Sequence, residues 1–150
     1  MSYYQKLLIA TDLGFNTVAL IESARELMDS TSHLTLLHVV RPMETTFFGT
    51  MPYIPILPIG DRDSFEKRVF EAKNNIFDAI SESHNIDEKD CIIETGDPKD
   101  QITDFAQSNE YDLIITASTH TKQRKSYLGS TTKAIVENAH CDVLVVRLDH

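Results

Sequence analysis

Five short, unbroken apolar runs punctuate the chain, at 6–10 (KLLIA), 34–40 (LTLLHVV), 91–94 (CIIE), 112–117 (DLIITA) and 142–146 (DVLVV). They lack the alternation of a half-solvated strand, so each predicts a strand covered on both faces. Between them the apolar positions change period. Leu20, Ile21, Ala24, Leu27 and Met28 fall on one helical face, and Phe65, Val69, Ala72, Ile76 and Ile80 on a second. Ile102, Phe105 and Ala106 mark a third, and Ile135, Val136 and Ala139 a fourth. Buried strands alternating with helices predict a parallel sheet clothed by helices on both sides, a β-α-β-α-β-α-β-α-β sandwich.

One connection breaks the pattern. Residues 41–61 (RPMETTFFGTMPYIPILPIGD) carry four prolines among many large apolar side chains. The prolines exclude a regular helix there, and the apolar load excludes a simple solvated linker. An ordered core cap, a lid and an interface segment are the alternatives for this stretch.

Composition adds bounds rather than detail. A chain of 150 residues with 41% apolar and 25% charged residues predicts a single globular domain, 1–150. The net charge of −9 argues against a nucleic-acid partner, which needs cations to displace counterions. The N-terminus lacks the long apolar core of a signal peptide, and no run is long enough to cross a membrane, so the expected compartment is the cytoplasm. Cys91 and Cys141 lie in apolar contexts and are expected to be buried, reduced thiols.

Candidate chemistry belongs beyond the carboxyl ends of the strands, where open α/β sheets bind ligands. After the first strand, Asp12 can accept hydrogen bonds from a base or ribose, or simply close a turn, with Asn16 or Thr17 capping the first helix. After the fourth, the stretch ASTHTKQRKSYLGSTTKAI (117–135) places Gly129, Ser130 and Thr131 at a helix start suited to an anion or to a plain cap. Lys122, Arg124 and Lys125 just upstream are either phosphate contacts or solvated loop charges. No Walker-type or G-x-G-x-x-G loop is present, and the six histidines have no metal-ligand spacing. His38 reads as a strand histidine near the sheet end, and His120 as a loop residue. No serine, histidine and acid suggest a hydrolytic triad, so no catalytic residue is assigned and the chain is not read as an enzyme.

The order of segments KLLIATDL, LLHVV, GDPKDQI, YDLIITAS and LGSTTKAIVENAHCDVLVVR resembles the universal stress protein family along nearly the whole chain. That resemblance implies a single-domain, flavodoxin/Rossmann-like, five-stranded parallel sheet of order 3-2-1-4-5 with four helices, and a homodimer. Nucleotide-binding members carry G-x-x-G, a spacer, then G-[ST]. Here Ser118 and Thr121 stand in the first two glycine positions, the spacer 122–128 is shorter, and only Gly129 and Ser130 match. This departure is similar to the universal stress protein A-like subclass, whose members generally lack ATP binding. The implied function is a non-catalytic stress-response interaction or signalling module that requires no cofactor and has a protein partner the sequence does not name. The alternative is a sensor of AMP, ADP or ATP, or a slow ATPase, using Asp12, Val39, Ser118, Thr121, Gly129, Ser130 and Thr131. The resemblance also implies that the fifth strand forms a sheet edge and pairs with its copy through Val143, Leu144, Val145 and Val146. That edge carries no proline or lysine to guard it.

Overall fold

A computed structural model describes residues 2–14, 16–41, 59–120 and 128–149. Its strands are β1 (Lys6–Ala10), β2 (His33–Val40), β3 (Cys91–Thr95), β4 (Leu113–His120) and β5 (Asp142–Asp149). Its helices are α1 (Thr17–Glu26), α2 (Ile59–His84), α3 (Pro98–Ser108) and α4 (Ser130–Asn138), with a single 3₁₀ turn, Glu88–Asp90, leading into β3. All strand pairs are parallel and the order is β3-β2-β1-β4-β5, as the resemblance implies. Among the described residues, no helix is long and apolar enough to cross a membrane.

Side chains alternate across the sheet and divide the core in two. Leu7, Ile9, Leu34, Leu36, Leu113 and Ile115 face α1 and α2, meeting Leu20, Ile21, Ala24 and Phe77. Leu8, Ala10, Leu37, Val39 and Ile114 face α3 and α4, meeting Ile102, Ala106 and Ile135. This two-sided burial is why the strands read as continuous apolar runs.

The helical faces are rotated in places from the expected ones. Among the described residues of α2, Phe77 is buried at 3% exposure and the expected Ile80 packs on the same core, whereas Ile76 is 40% exposed beside the equally open Val18. In α4 Ile135 is buried and Val136 exposed, and Leu27 lies at the exposed end of α1. Helix α2 starts at Ile59, inside the proline-rich stretch and just after its last proline; residues 42–58 lie outside the described residues. Strand β4 continues to His120, so Ser118, Thr119 and His120 are strand rather than loop. Both cysteines are free and half-buried rather than buried. Cys91 opens the edge strand β3 and Cys141 precedes the opposite edge, β5, so their positions keep them apart.

Candidate functional site

The strand order reverses between β1 and β4, and beyond that point the sheet ends open into a cleft of about 260 Å³. Residues from the ends of three strands line it: Ala10, Thr11 and Asp12 after β1, His38 and Val39 on β2, and Thr116 and Ala117 on β4. Helices close its sides through Asn16 and Leu20 of the α1 region, Pro98 and Ile102 of α3, and Thr131 and Thr132 of α4.

The turn after β1 is held by a relay of hydrogen bonds. The Leu13 amide donates to Thr11 Oγ1 at 2.9 Å, and Thr17 Oγ1 donates to the Gly14 carbonyl at 2.8 Å. The Thr17 proton is thereby used, so Thr11 Oγ1 is the donor in the 2.6 Å contact between the two hydroxyls. Leu13 sits at φ 63°, a left-handed conformation that costs a leucine about 1 kcal/mol or more and that its buried side chain offsets. The Gly14 amide donates to Asp12 Oδ1 at 2.7 Å, so Asp12 does close the turn, and it also lines the cleft. Asn16 occupies the α1 N-cap without a side-chain bond, so neither Asn16 nor Thr17 caps that helix in the expected way.

Val39 faces the cleft through its backbone as well. The Thr11 amide bonds the Leu37 carbonyl at 3.0 Å, while the Gly96 amide bonds the Val40 carbonyl at 3.0 Å. Alternation along a strand then turns the Val39 N–H and C=O toward β1. The β1 ladder ends at the Ala10–Leu37 pair, so both Val39 groups project past it. The Thr11 carbonyl, their next neighbour on that side, instead accepts from His38 Nδ1 at 2.8 Å.

Helix α4 meets the cleft with its first turn. Gly129 is its N-cap with no side-chain bond, which corrects the expectation of a Ser130 or Thr131 cap. The Lys133 amide closes the first turn on the Gly129 carbonyl at 2.9 Å. The preceding amides, at 130–132, are the donors that a helix start leaves over. Thr132 Oγ1 donates to the Ala117 carbonyl at 3.1 Å and pins the helix to β4. A Cβ on Gly129 would meet nothing within 4 Å among the described residues, so their packing does not explain a glycine there.

Of the residues marked from sequence, Asp12, Val39 and Thr131 come together on the cleft. Gly129 and Ser130 are exposed at its rim. Ser118 is buried within β4, paired in register with Arg147 of β5, and does not line the cleft. Thr121, Lys122, Arg124 and Lys125 lie outside the described residues. Sequence reasoning missed Pro98 and Ile102. Their signal was the Gly96-Asp97-Pro98 turn, where Asp97 accepts from the Lys99 amide and Pro98 opens α3. His38 was read only as a strand residue; its place directly before Val39 was the available signal.

This is the architecture of a doubly wound α/β domain with a cleft at its topological switch point, the place where such folds bind ligands. The model of the universal stress protein family matches residues 3–147. The chain belongs to that family. It is 29% identical over 152 residues to universal stress protein A homolog 2 of Coxiella burnetii, covering 99% of this chain and 98% of that one. Its fold is similar to the universal stress protein UspA of Lactobacillus plantarum, with a TM-score of 0.66, 24% identity, and 98% and 100% of the two chains covered. It is also similar to an Arabidopsis thaliana family member with AMP bound, with a TM-score of 0.56, 18% identity, and 95% and 91% covered.

Proposed function

We propose that this chain is a non-catalytic, homodimeric stress-response module whose cleft receives the nucleoside part of an adenine nucleotide but does not hold its phosphates tightly. The observation that carries this reading is the course of β4. The two positions that would be glycine in a phosphate cradle are Ser118, buried in a strand in register with Arg147, and Thr121. A β-branched threonine resists the conformations a glycine supplies. The nucleoside half of the reading is supported by Val39, whose N–H and C=O make a donor–acceptor pair of the kind an adenine edge matches. Asp12 stands beside it as an acceptor for a sugar hydroxyl. The dimer is supported by β5, an edge strand with no proline or lysine over 142–146.

Calorimetric titration with ATP and AMP, with mass spectrometry of any copurified ligand, tests the reading. The expected dissociation constant is no tighter than roughly millimolar, near −4 kcal/mol. A micromolar constant overturns it in favour of a nucleotide-dependent sensor, with slow ATP hydrolysis then worth assaying. Two observations favour that second reading: the uncapped start of α4 and the open space at Gly129. The Arabidopsis relative with AMP bound adds to them.

A further inference from the structure

We infer that His38 is a specificity residue of the cleft: with Asp12 it forms a pair of hydrogen-bond acceptors that selects a ribonucleoside over a deoxyribonucleoside. The inference rests on the nucleoside reading above and adds to it the part of the ligand that is read.

The argument begins with a proton. A backbone carbonyl cannot donate, so His38 Nδ1, 2.8 Å from the Thr11 carbonyl, carries the ring hydrogen. Nε2 is then a bare lone pair that can only accept. The His38 residue is 8% exposed, yet no partner is present for Nε2 among the described residues. Among those residues no buried side-chain nitrogen or oxygen lacks a partner, so Nε2 is not sealed in the core. It therefore keeps some access to solvent, and the cleft that His38 lines is the opening beside it. Burial pushes the His38 pKa down, with Lys73 acting the same way and the Thr11 hydrogen bond and Asp12 opposing, so the ring stays neutral and accepting at pH 7.

Asp12 supplies the second acceptor. Its Oδ1 takes the Gly14 amide at 2.7 Å, no partner is present for Oδ2 among the described residues, and Asp12 lines the cleft. The two acceptors come from the ends of neighbouring strands, β1 and β2. A vicinal diol offers two donors on adjacent carbons and suits such a pair. The exocyclic amine of adenine is the other available donor, but the Val39 carbonyl already serves it. A cleft with an unused acceptor penalises a ligand that lacks the matching hydroxyl.

The test is saturation-transfer NMR on the full chain with AMP, 2′-deoxyAMP and 3′-deoxyAMP. Wild type should bind AMP in the millimolar range and at least one deoxy analogue roughly three- to ten-fold more weakly, the loss of one hydrogen bond. His38→Phe should abolish that difference. His38→Asn keeps a donor for the Thr11 carbonyl and so holds the turn, but has no acceptor at the Nε2 position; it should abolish the difference as well. Equal binding of all three ligands by wild type, or a preference that survives in both variants, overturns the inference and leaves the nucleoside reading standing. Absence of any AMP binding at ten-millimolar ligand (~10 mM, above the range expected here) overturns both. Nitrogen-15 NMR of the ring gives a ligand-free check: a proton on Nε2 instead of Nδ1 sinks the inference by itself.

Discussion

The Tyr111 hydroxyl donates to Thr35 Oγ1 at 2.8 Å, joining the start of β4 to β2 across the central strand. Both residues are buried, and the Tyr111 ring stacks on Phe105 with Lys6 Nζ 4.7 Å from its centroid. Tyr111→Phe keeps the stacking and removes the donor. It should cost about 1 kcal/mol, and Tyr111→Phe with Thr35→Val should cost less than the sum of the single changes. Urea unfolding of the four proteins checks the cycle, and strictly additive losses would refute the coupling.

Gly14 and Gly129 should respond oppositely to a methyl group. A Cβ at Gly14 would lie 2.9 Å from Asp12 Oδ1, so Gly14→Ala must shift the carboxylate and weaken its bond to the residue 14 amide, lowering stability modestly. At Gly129 the same Cβ meets nothing within 4 Å. Gly129→Ala should therefore leave stability within about 0.5 kcal/mol of wild type. Thermal unfolding of the two variants separates them, and a destabilised Gly129→Ala would contradict the open rim.

Assembly is tested at Val145. Val143 packs on the α3–α4 core, and Leu144 and Val146 on the α1–α2 core. Of the four residues proposed for the interface, Val145 alone packs on neither core. Val145→Lys should thus weaken a β5–β5 dimer with little cost to the fold. Sedimentation should give a wild-type dimer at micromolar concentration and a lighter variant. A monomeric wild type refutes the dimer, and an unaffected dimeric variant moves the interface elsewhere.

Burial pushes the Cys91 thiol up to about 11. Only the thiolate reacts, and an unperturbed thiol sits near 8.5. Alkylation of native Cys91 by iodoacetamide at pH 8 should be roughly a hundred-fold slower than in the unfolded chain. Equal rates, read by peptide mass spectrometry, would place the thiol in open solvent.

Asp29 gathers Ser2, Thr31 and Ser32 around one carboxylate, and the Thr31 bonds foremost hold its pKa well below the usual value. A depressed carboxylate stabilises the fold above its unfolded pKa of about 4 and loses that effect as the pH falls toward its folded value. Wild type should lose more stability than Asp29→Asn on going from pH 5 to pH 3. Parallel acid curves for the two proteins would rule this out.

The sheet was legible because burial on both faces writes itself as unbroken apolar runs. Their order came from the resemblance, not from periodicity. In α2 Ile80 packs on the core as expected, but Ile76 was misread because it adjoins Phe77, and only the core decides which of the two turns inward. Asn16 was rightly placed at the start of α1, though its side chain makes no capping bond, while the α4 cap falls on Gly129, one residue before the better-capping Ser130. In the cleft, Asp12 could be marked by its position after β1, whereas Val39, inside β2, was marked only through the family resemblance. The His38 tautomer could not, since it depends on a carbonyl 27 positions away in the chain.

The sheet order also sets a timetable for synthesis. Leu7 pairs with Leu34 on one side and with Leu113 on the other. At about 5–20 residues per second, translation brings β4 out roughly 5–20 seconds after β1. Through that interval the nascent chain presents Leu7, Leu8 and Ile9 as an apolar strand with one flank open. The strand that becomes the centre of the finished sheet thus waits longest between its two partners, an apolar edge exposed on the ribosome until β4 arrives.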